Sequence, residues 1–451
     1  MLCFASGHGI KGMAHRARPT PEGDPLFVFD RILRVLLTVL LIAGLFMTAQ
    51  NAYFLRLAKN EYGLFCTLLS VAVLLTRLRH TLRDLAILLL STVALLVIAS
   101  RPDHFRAGVP LILSIIGLAS LAVLGVRLFW CRDASRPMLF WGFAASFALV
   151  SSGWVLPGLL AWGARANPKS FDLYLLSFDA SLRFQPSFAL GAAFLRWPLF
   201  GKLSTAFYMG ILCLCTLVFA DHLQRNVKKA VAIFFAFFSS SFIGLLFFNL
   251  FPARGPFYLF QADFPGRPLP LDVIRHLHLE PLNVPGYANA MPSLHMSWAL
   301  LGFWYSRNSP LWVRLVASAF LAFTIFSTLG TGEHYLADLV VALPFALMMY
   351  ALCASSAGWT SLWRIRSAVF GAAATILWMT LLRFQTGYFW VTPLTPWALI
   401  VATIAATLFL EKRLAESMQA GEASYGDAGR SPEPVAAPVA ALASEVPRVQ
   451  G

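Results

Sequence analysis

Long apolar runs separated by short turns dominate this chain. A helix that spans a bilayer needs about 20 mostly apolar residues, with a working range of about 17–25. About twelve segments meet or approach that length: residues 32–49, 62–76, 85–100, 109–129, 138–162, 199–220, 230–251, 292–305, 311–329, 335–353, 367–382 and 397–410. The pattern predicts an all-α fold, a polytopic membrane helix bundle of about 12 spans. Pro157 and Gly158 predict a kink in the fifth span, whose freed backbone groups neighbouring helices must satisfy. Between residues 166 and 198 the pattern changes. Phe171, Leu175, Phe178, Leu182 and Phe188 alternate there with Asp172, Asp179 and Arg183. That alternation predicts one or two amphipathic helices lying in the outer interface. Residues 413–451, rich in Ala, Pro, Ser and Glu, are expected to form a disordered tail.

Composition agrees with the pattern. Of 451 residues, 58% are hydrophobic and only 12% charged, against about a quarter charged in soluble domains. The net charge of +14 does not come from a compact basic cluster with interleaved aromatics, so nucleic-acid binding is excluded. The basic residues instead fall in alternate turns: Arg77, Arg79 and Arg83; Arg127, Arg132 and Arg136; Arg225, Lys228 and Lys229; Arg307 and Arg314; Arg364 and Arg366; Lys412 and Arg413. By the positive-inside rule all of these turns are cytoplasmic, as are both termini. The first 31 residues then form a cytoplasmic tail, followed by an uncleaved anchor. The six cysteines are scattered without a Cys-x-x-Cys pair, which points to neither zinc nor a disulfide framework.

This orientation places the loop 252–291 and the turn 330–333 on the extracytoplasmic face, periplasmic or lumenal. Two stretches there put titratable residues at the start of apolar segments, where they are costly and so call for a function. One is Met291-Pro292-Ser293-Leu294-His295-Met296; the other is Gly332-Glu333-His334-Tyr335-Leu336-Ala337-Asp338. His334 and Asp338, four apart, are expected on one helix face, with Asp338 about 6 Å deeper. A carboxylate on one ring nitrogen would set the tautomer and leave the other nitrogen able to attack; the same pair could also simply close a helix end. Pro292 suits a first helical position, and the free N–H groups there, with the Ser293 hydroxyl, form an anion site. His295 in the same turn is placed to act as general acid. Arg254, where the seventh span leaves the membrane, suits a fork onto phosphate oxygens or a snorkelling interfacial position.

The pair Pro292-Ser293-x-His295 and His334-x-x-x-Asp338 resembles the type 2 phosphatidic-acid phosphatase superfamily, and more narrowly its inositol phosphorylceramide synthase (inositolphosphotransferase) branch. The resemblance covers roughly residues 195–355. It implies a six-helix phosphatase-like core in the C-terminal part, at residues 199–353. Around it lie an accessory transmembrane bundle at 32–165, extracytoplasmic interfacial helices at 166–198 and a C-terminal transmembrane pair at 364–412. It implies that His334 becomes a phosphohistidine, that Asp338 orients it, that His295 protonates the leaving group and then activates the acceptor, and that Ser293 and Arg254 hold phosphate. No metal or cofactor is implied. The expected substrate is a membrane phospholipid, with a lipid hydroxyl as a second partner. The chain departs from the general superfamily pattern at three places: Phe247 replaces a Lys, Gly255 follows Arg254 where a Pro is usual, and Thr328 replaces an Arg. Fewer cations suit a phosphodiester better than a phosphomonoester dianion, with Arg183 or Arg267 as candidates for a second cation. The activities this reading spans are phospho-headgroup transfer, phosphoinositol-like, to a lipid hydroxyl and lipid (pyro)phosphate hydrolysis. Readings outside the family are a zinc-dependent intramembrane hydrolase using His295, His334 and Asp338, and a non-enzymatic transporter.

Overall fold

The computed structural model describes residues 59–78, 81–99 and 108–428. The expected N-terminal tail and first span, and the end of the C-terminal tail, lie outside the described residues. The apolar runs become helices in the order α1 (Lys59–Arg77), α2 (Leu82–Ala99), α3 (Gly108–Trp130) and α4 (Arg136–Ala166). Next come β1 (Lys169–Ser170), α5 (Asp172–Ser181), α6 (Pro186–Arg196), α7 (Pro198–Met209), α8 (Ile211–Leu223) and α9 (Val227–Leu250). The long loop holds α10 (Pro256–Phe260), α11 (Leu271–Arg275) and β2 (Leu282–Asn283). After it follow α12 (Leu294–Tyr305), α13 (Leu311–Gly330), α14 (Leu336–Leu352), α15 (Leu362–Phe384) and α16 (Leu394–Ala428).

Six helices among the described residues are long and apolar enough to cross a membrane, or seven if α7 and α8 form one bent span. This supports a multi-pass integral membrane protein with an all-α bundle. The helix α14 and the apolar part of α1 are shorter, so the expectation of about twelve spans goes beyond what length and composition meet here. The expected single span at 199–220 is two helices meeting at 51° across Gly210. By contrast, α4 runs through Pro157 without interruption.

The helix α14 is the axis of the bundle. Every residue from Ala337 to Ala351 on it is buried, and it packs against α15, α12, α16, α9 and α5. A second apolar cluster joins α1, α3 and α4 to α8 and α9, so the accessory helices lie directly against the core. The basic turns gather at one end: Arg77 stacks over Trp312, Arg225 donates to the Asn308 carbonyl and Arg307 pairs with Glu411. The loops bearing the candidate chemistry gather at the other end of α9 and α12. There Phe171 N–H donates to Pro252, Ala290 N–H to Ala253 and Phe257 N–H to Gly332.

Two expectations need correction. The helix α5 is not an amphipathic helix with a wet face. Its residues are almost all buried, Asp172 and Asp179 included, because both carboxylates find backbone N–H partners inside the protein. The helix α16 continues through residues expected to be a disordered tail, as far as Ala428. Leu414 and Met418, four apart, are buried there, which gives the helix an apolar stripe to dock.

Candidate active site

Ser293 ends the loop before α12 in an extended conformation and caps that helix, its hydroxyl accepting from the Met296 N–H at 3.4 Å. Such a cap is worth about 1 kcal/mol. The helix therefore starts at Leu294, and Pro292 precedes the cap instead of occupying the first helical position. The Ser293 hydroxyl also lies 3.2 Å from Nε2 of His334. Ser293 N–H donates to the Asp338 carbonyl at 3.3 Å, so the two motif segments touch through backbone as well.

His334 is not within a helix. It sits in the turn between α13 and α14, one residue before the Tyr335 cap. Its ring is buried, with Nδ1 3.4 Å from Oδ2 of Asp338; the contact falls short of a hydrogen bond. The same Oδ2 accepts the Tyr335 N–H at 2.8 Å. Asp338 thus closes the start of α14 and faces the imidazole at once, joining both sequence alternatives. The backbone of His334 is pinned on two sides: its N–H donates to Thr328 at 3.1 Å and its carbonyl accepts the Ser187 hydroxyl at 2.9 Å. Burial lowers the imidazole pKa to about 4, against the opposing pull of the Glu333 charge and the Ala290 backbone. The ring is therefore neutral at pH 7 and has a free electron pair.

His295, the first-turn residue of α12, stacks face to face on Tyr208, with ring centroids 3.8 Å apart. The bend at Gly210 brings the end of α7 and with it Tyr208 over this ring. Trp298 meets the same ring edge-on at 5.8 Å. Tyr258 donates to the Glu333 carboxylate at 3.1 Å. His295, Tyr208, Tyr258 and Glu333 all line one cavity of about 840 Å³.

Arg254 is 2% exposed and half-committed to structure. Its Nε donates to the Gly286 carbonyl at 3.0 Å and Nη2 to that of Asn167 at 3.3 Å, while Nη1 is buried without a partner. A buried guanidinium nitrogen left open is suited to an anion. Gly255 explains the missing proline: φ is +97°, and a Cβ there would lie 2.4 Å from the Glu333 carbonyl oxygen. The Arg254–Gly255 turn is thereby pressed against the backbone next to His334. Neither proposed second cation reaches this place. Arg267 is exposed and pairs with Asp263 at 3.8 Å, and Arg183 is exposed over the Trp390 ring. Thr328 is fully buried with its hydroxyl turned to its own helix, so no cation stands at that position.

Three contributors escaped the sequence reading. Asp172 accepts the N–H groups of Arg254 and Gly255, the latter at 2.8 Å. Asp179, two turns along α5, accepts those of Leu336 at 2.9 Å and Ala337 at 3.4 Å. Burial raises the pKa of both; for Asp179 it reaches about 8, the two N–H groups opposing and the Asp338 charge adding to the rise. Their seven-residue spacing was a usable signal, since it puts both on one face of α5. The third is Tyr208, which no local motif marks. The zinc alternative finds no support in the geometry: among the described residues no group of three or more His, Cys, Asp or Glu could hold a metal ion.

No curated protein and no solved structure matches the chain. Residues 173–352, from the second residue of α5 to the end of α14, match the family model of the PAP2 superfamily, and this supports the resemblance of that region to the type 2 phosphatidic-acid phosphatases.

Proposed function

We propose that the protein is a lipid phosphotransferase that moves a phospho-headgroup from a phosphodiester lipid to a lipid hydroxyl through a phosphohistidine at His334. The superfamily match supports lipid phosphatase or phosphotransferase activity in general. The observation that carries the finer reading is the placement of the His334 ring, with Nε2 toward Ser293 at 3.2 Å and Nδ1 toward Asp338 at 3.4 Å. Nε2 attacks phosphorus as the bond from phosphorus to the diacylglycerol oxygen breaks, and His295, which takes up a proton as the anionic phosphodiester enters beside it, gives that proton to the oxygen. Asp338 balances the positive charge that forms on the imidazole. His295, now neutral, takes the proton of the acceptor hydroxyl, whose oxygen attacks phosphorus as the N–P bond breaks and regenerates His334.

Ser293, the first N–H groups of α12 and the open Nη1 of Arg254 serve the phosphate oxygens. This is a sparse set, and Glu333 adds a negative charge beside it. A phosphodiester with one charge fits such a site better than a phosphomonoester dianion. On this reading the site faces the extracytoplasmic side, opposite the basic turns.

The test is incubation of purified protein with a panel of headgroup-labelled phospholipids, with and without a lipid alcohol, followed by mass spectrometry. Transfer of the label to the alcohol, with diacylglycerol released and an acid-labile phosphoryl adduct on His334, is the expected result. Label recovered only on water would make the protein a phosphatase, and full turnover by His334→Ala would end the phosphohistidine mechanism.

A further inference from the structure

The cavity that holds His295 and Glu333 extends far beyond the site. Its wall comes from two sources: α6 to α10, the long loop and α12 within residues matched to the superfamily, and α1 and α4 outside them. Along α4 the lining runs from Ala145 to Leu160, and along α9 from Phe234 to Phe248. At the helical rise per residue each of these runs is about 20 Å long.

The titratable groups of the lining collect at one end of that length; hydroxyls elsewhere in the wall, such as those of Ser70, Ser146 and Ser152, are bonded back to carbonyls of their own helices. At the site end stand the polar groups of His295, Tyr208, Tyr258, Glu333 and Asn289. At the far end stand Leu74, Phe219 and Phe234, members of the apolar cluster beside the basic turns. Between them lie Leu149, Leu156 and Leu245. Protein interiors are packed to the density of organic crystals, and an empty apolar void is costly in proportion to its volume. This half-open space of about 840 Å³, with a mostly apolar wall, favours an apolar occupant over ordered water. Water does not settle in apolar space of this kind. An amphiphile with one polar end and a long apolar part matches this lining.

We propose that this cavity is the binding site for one hydrocarbon chain of a lipid substrate, with the lipid's polar end at His295 and Glu333 and its chain running between α4 and α9. The inference rests on the lipid-transfer reading for the identity of the polar end. It gives the accessory helices a function: α1 and α4 form the far wall and set which chain fits. Donor and acceptor lipid both carry such a chain, and the experiment separates them.

The first measurement needs no turnover. The full-length protein in phosphatidylcholine vesicles is photolabelled with a long-chain lipid alcohol, or separately a phospholipid, bearing a diazirine at the chain end. Adducts are mapped by mass spectrometry. Labelling at the inward positions of α4 and α9, such as Leu149 and Phe238, competed by unlabelled long-chain lipid, is expected; the probe that labels them names the occupant. Labelling confined to the outward face of α4, such as Trp154 and Leu159, would overturn the proposal. The second measurement uses Leu149→Trp and Ser152→Phe, which fill the cavity from α4. Turnover of long-chain substrate should fall about tenfold or more, while a short-chain analogue of the same lipid keeps near-wild-type turnover. An unchanged chain-length profile in folded variants would overturn it. Inward labelling that persists when His334→Ala proves fully active would sink the phosphohistidine mechanism and leave the chain site standing.

Discussion

The two histidines of the site stand at the starts of apolar helices and look interchangeable in the sequence, yet their surroundings differ in kind. His334 is clamped: its backbone is held by Thr328 and Ser187, and its ring sits between Ser293 and Asp338. The His295 ring, on the first turn of α12, is instead stacked on Tyr208 with Trp298 edge-on, at the wall of the cavity. A group that forms a bond to phosphorus needs fixed direction. A group that moves a proton between two oxygens needs access to both the leaving and the arriving lipid. The difference teaches that a motif's residue type does not assign its role; what grips the side chain does.

This contrast can be broken most directly at His334. Substitution by Ala should lower turnover by roughly 10⁴–10⁶-fold, the scale of a lost nucleophile, and should abolish the acid-labile adduct. His295→Ala should cost roughly 10²–10⁴-fold with natural lipid. The loss should shrink in the adduct-forming step with an aryl phosphodiester, whose leaving group needs no proton. Equal rescue of both variants would erase the distinction between the two rings. Asp338→Asn should lower turnover roughly 10²-fold, because the amide cannot balance an imidazolium.

A smaller effect belongs to the brace behind the clamp. Asp179→Ala leaves the Leu336 and Ala337 N–H groups buried without acceptors and should cost about 2–4 kcal/mol of stability, read as a lowered midpoint of thermal unfolding. Asp179→Asn, which keeps one acceptor, should recover most of it. The smallest effect is in the pH profile. Protonation removes the electron pair of His334, so kcat/KM falls as pH drops through its pKa. With burial holding that value at about 4, the acid limb should lie well below the 6.5 of a free imidazole. Glu333→Gln removes a charge that raises this pKa, so the limb should move lower still. Movement upward would show that Glu333 acts on another group.

Much of the site was legible before any coordinates. The spacing of Ser293, His295, His334 and Asp338 and the charge pattern of the turns put the two segments at one end of the bundle, where they meet. The expected contact between His334 and Asp338 exists, but by a different route. The imidazole lies ahead of the helix, and Asp338 reaches it as the residue that closes the helix start. Arg254 was located correctly at the loop, yet two of its donors serve backbone carbonyls. The misreading of α5 has a physical cause. Asp172 and Asp179 among Phe and Leu look like a wet face, and nothing local says that the missing partners are N–H groups some 80 and 157 residues away. Leu414 and Met418 beyond the last span were hidden for the same reason, since a stripe of two residues only has meaning once a neighbour covers it.

The sequence alone determined the all-α membrane character, the candidate residues of the site and the shared end of the bundle that they occupy. Those properties follow from hydropathy, charge and spacing along one chain. Tertiary structure alone decided which nitrogen of His334 faces Ser293, how α5 ties the site together, and that α1 and α4 close a long cavity onto it. These depend on contacts between segments far apart in the chain, and a void has no residues of its own to leave a mark in the sequence.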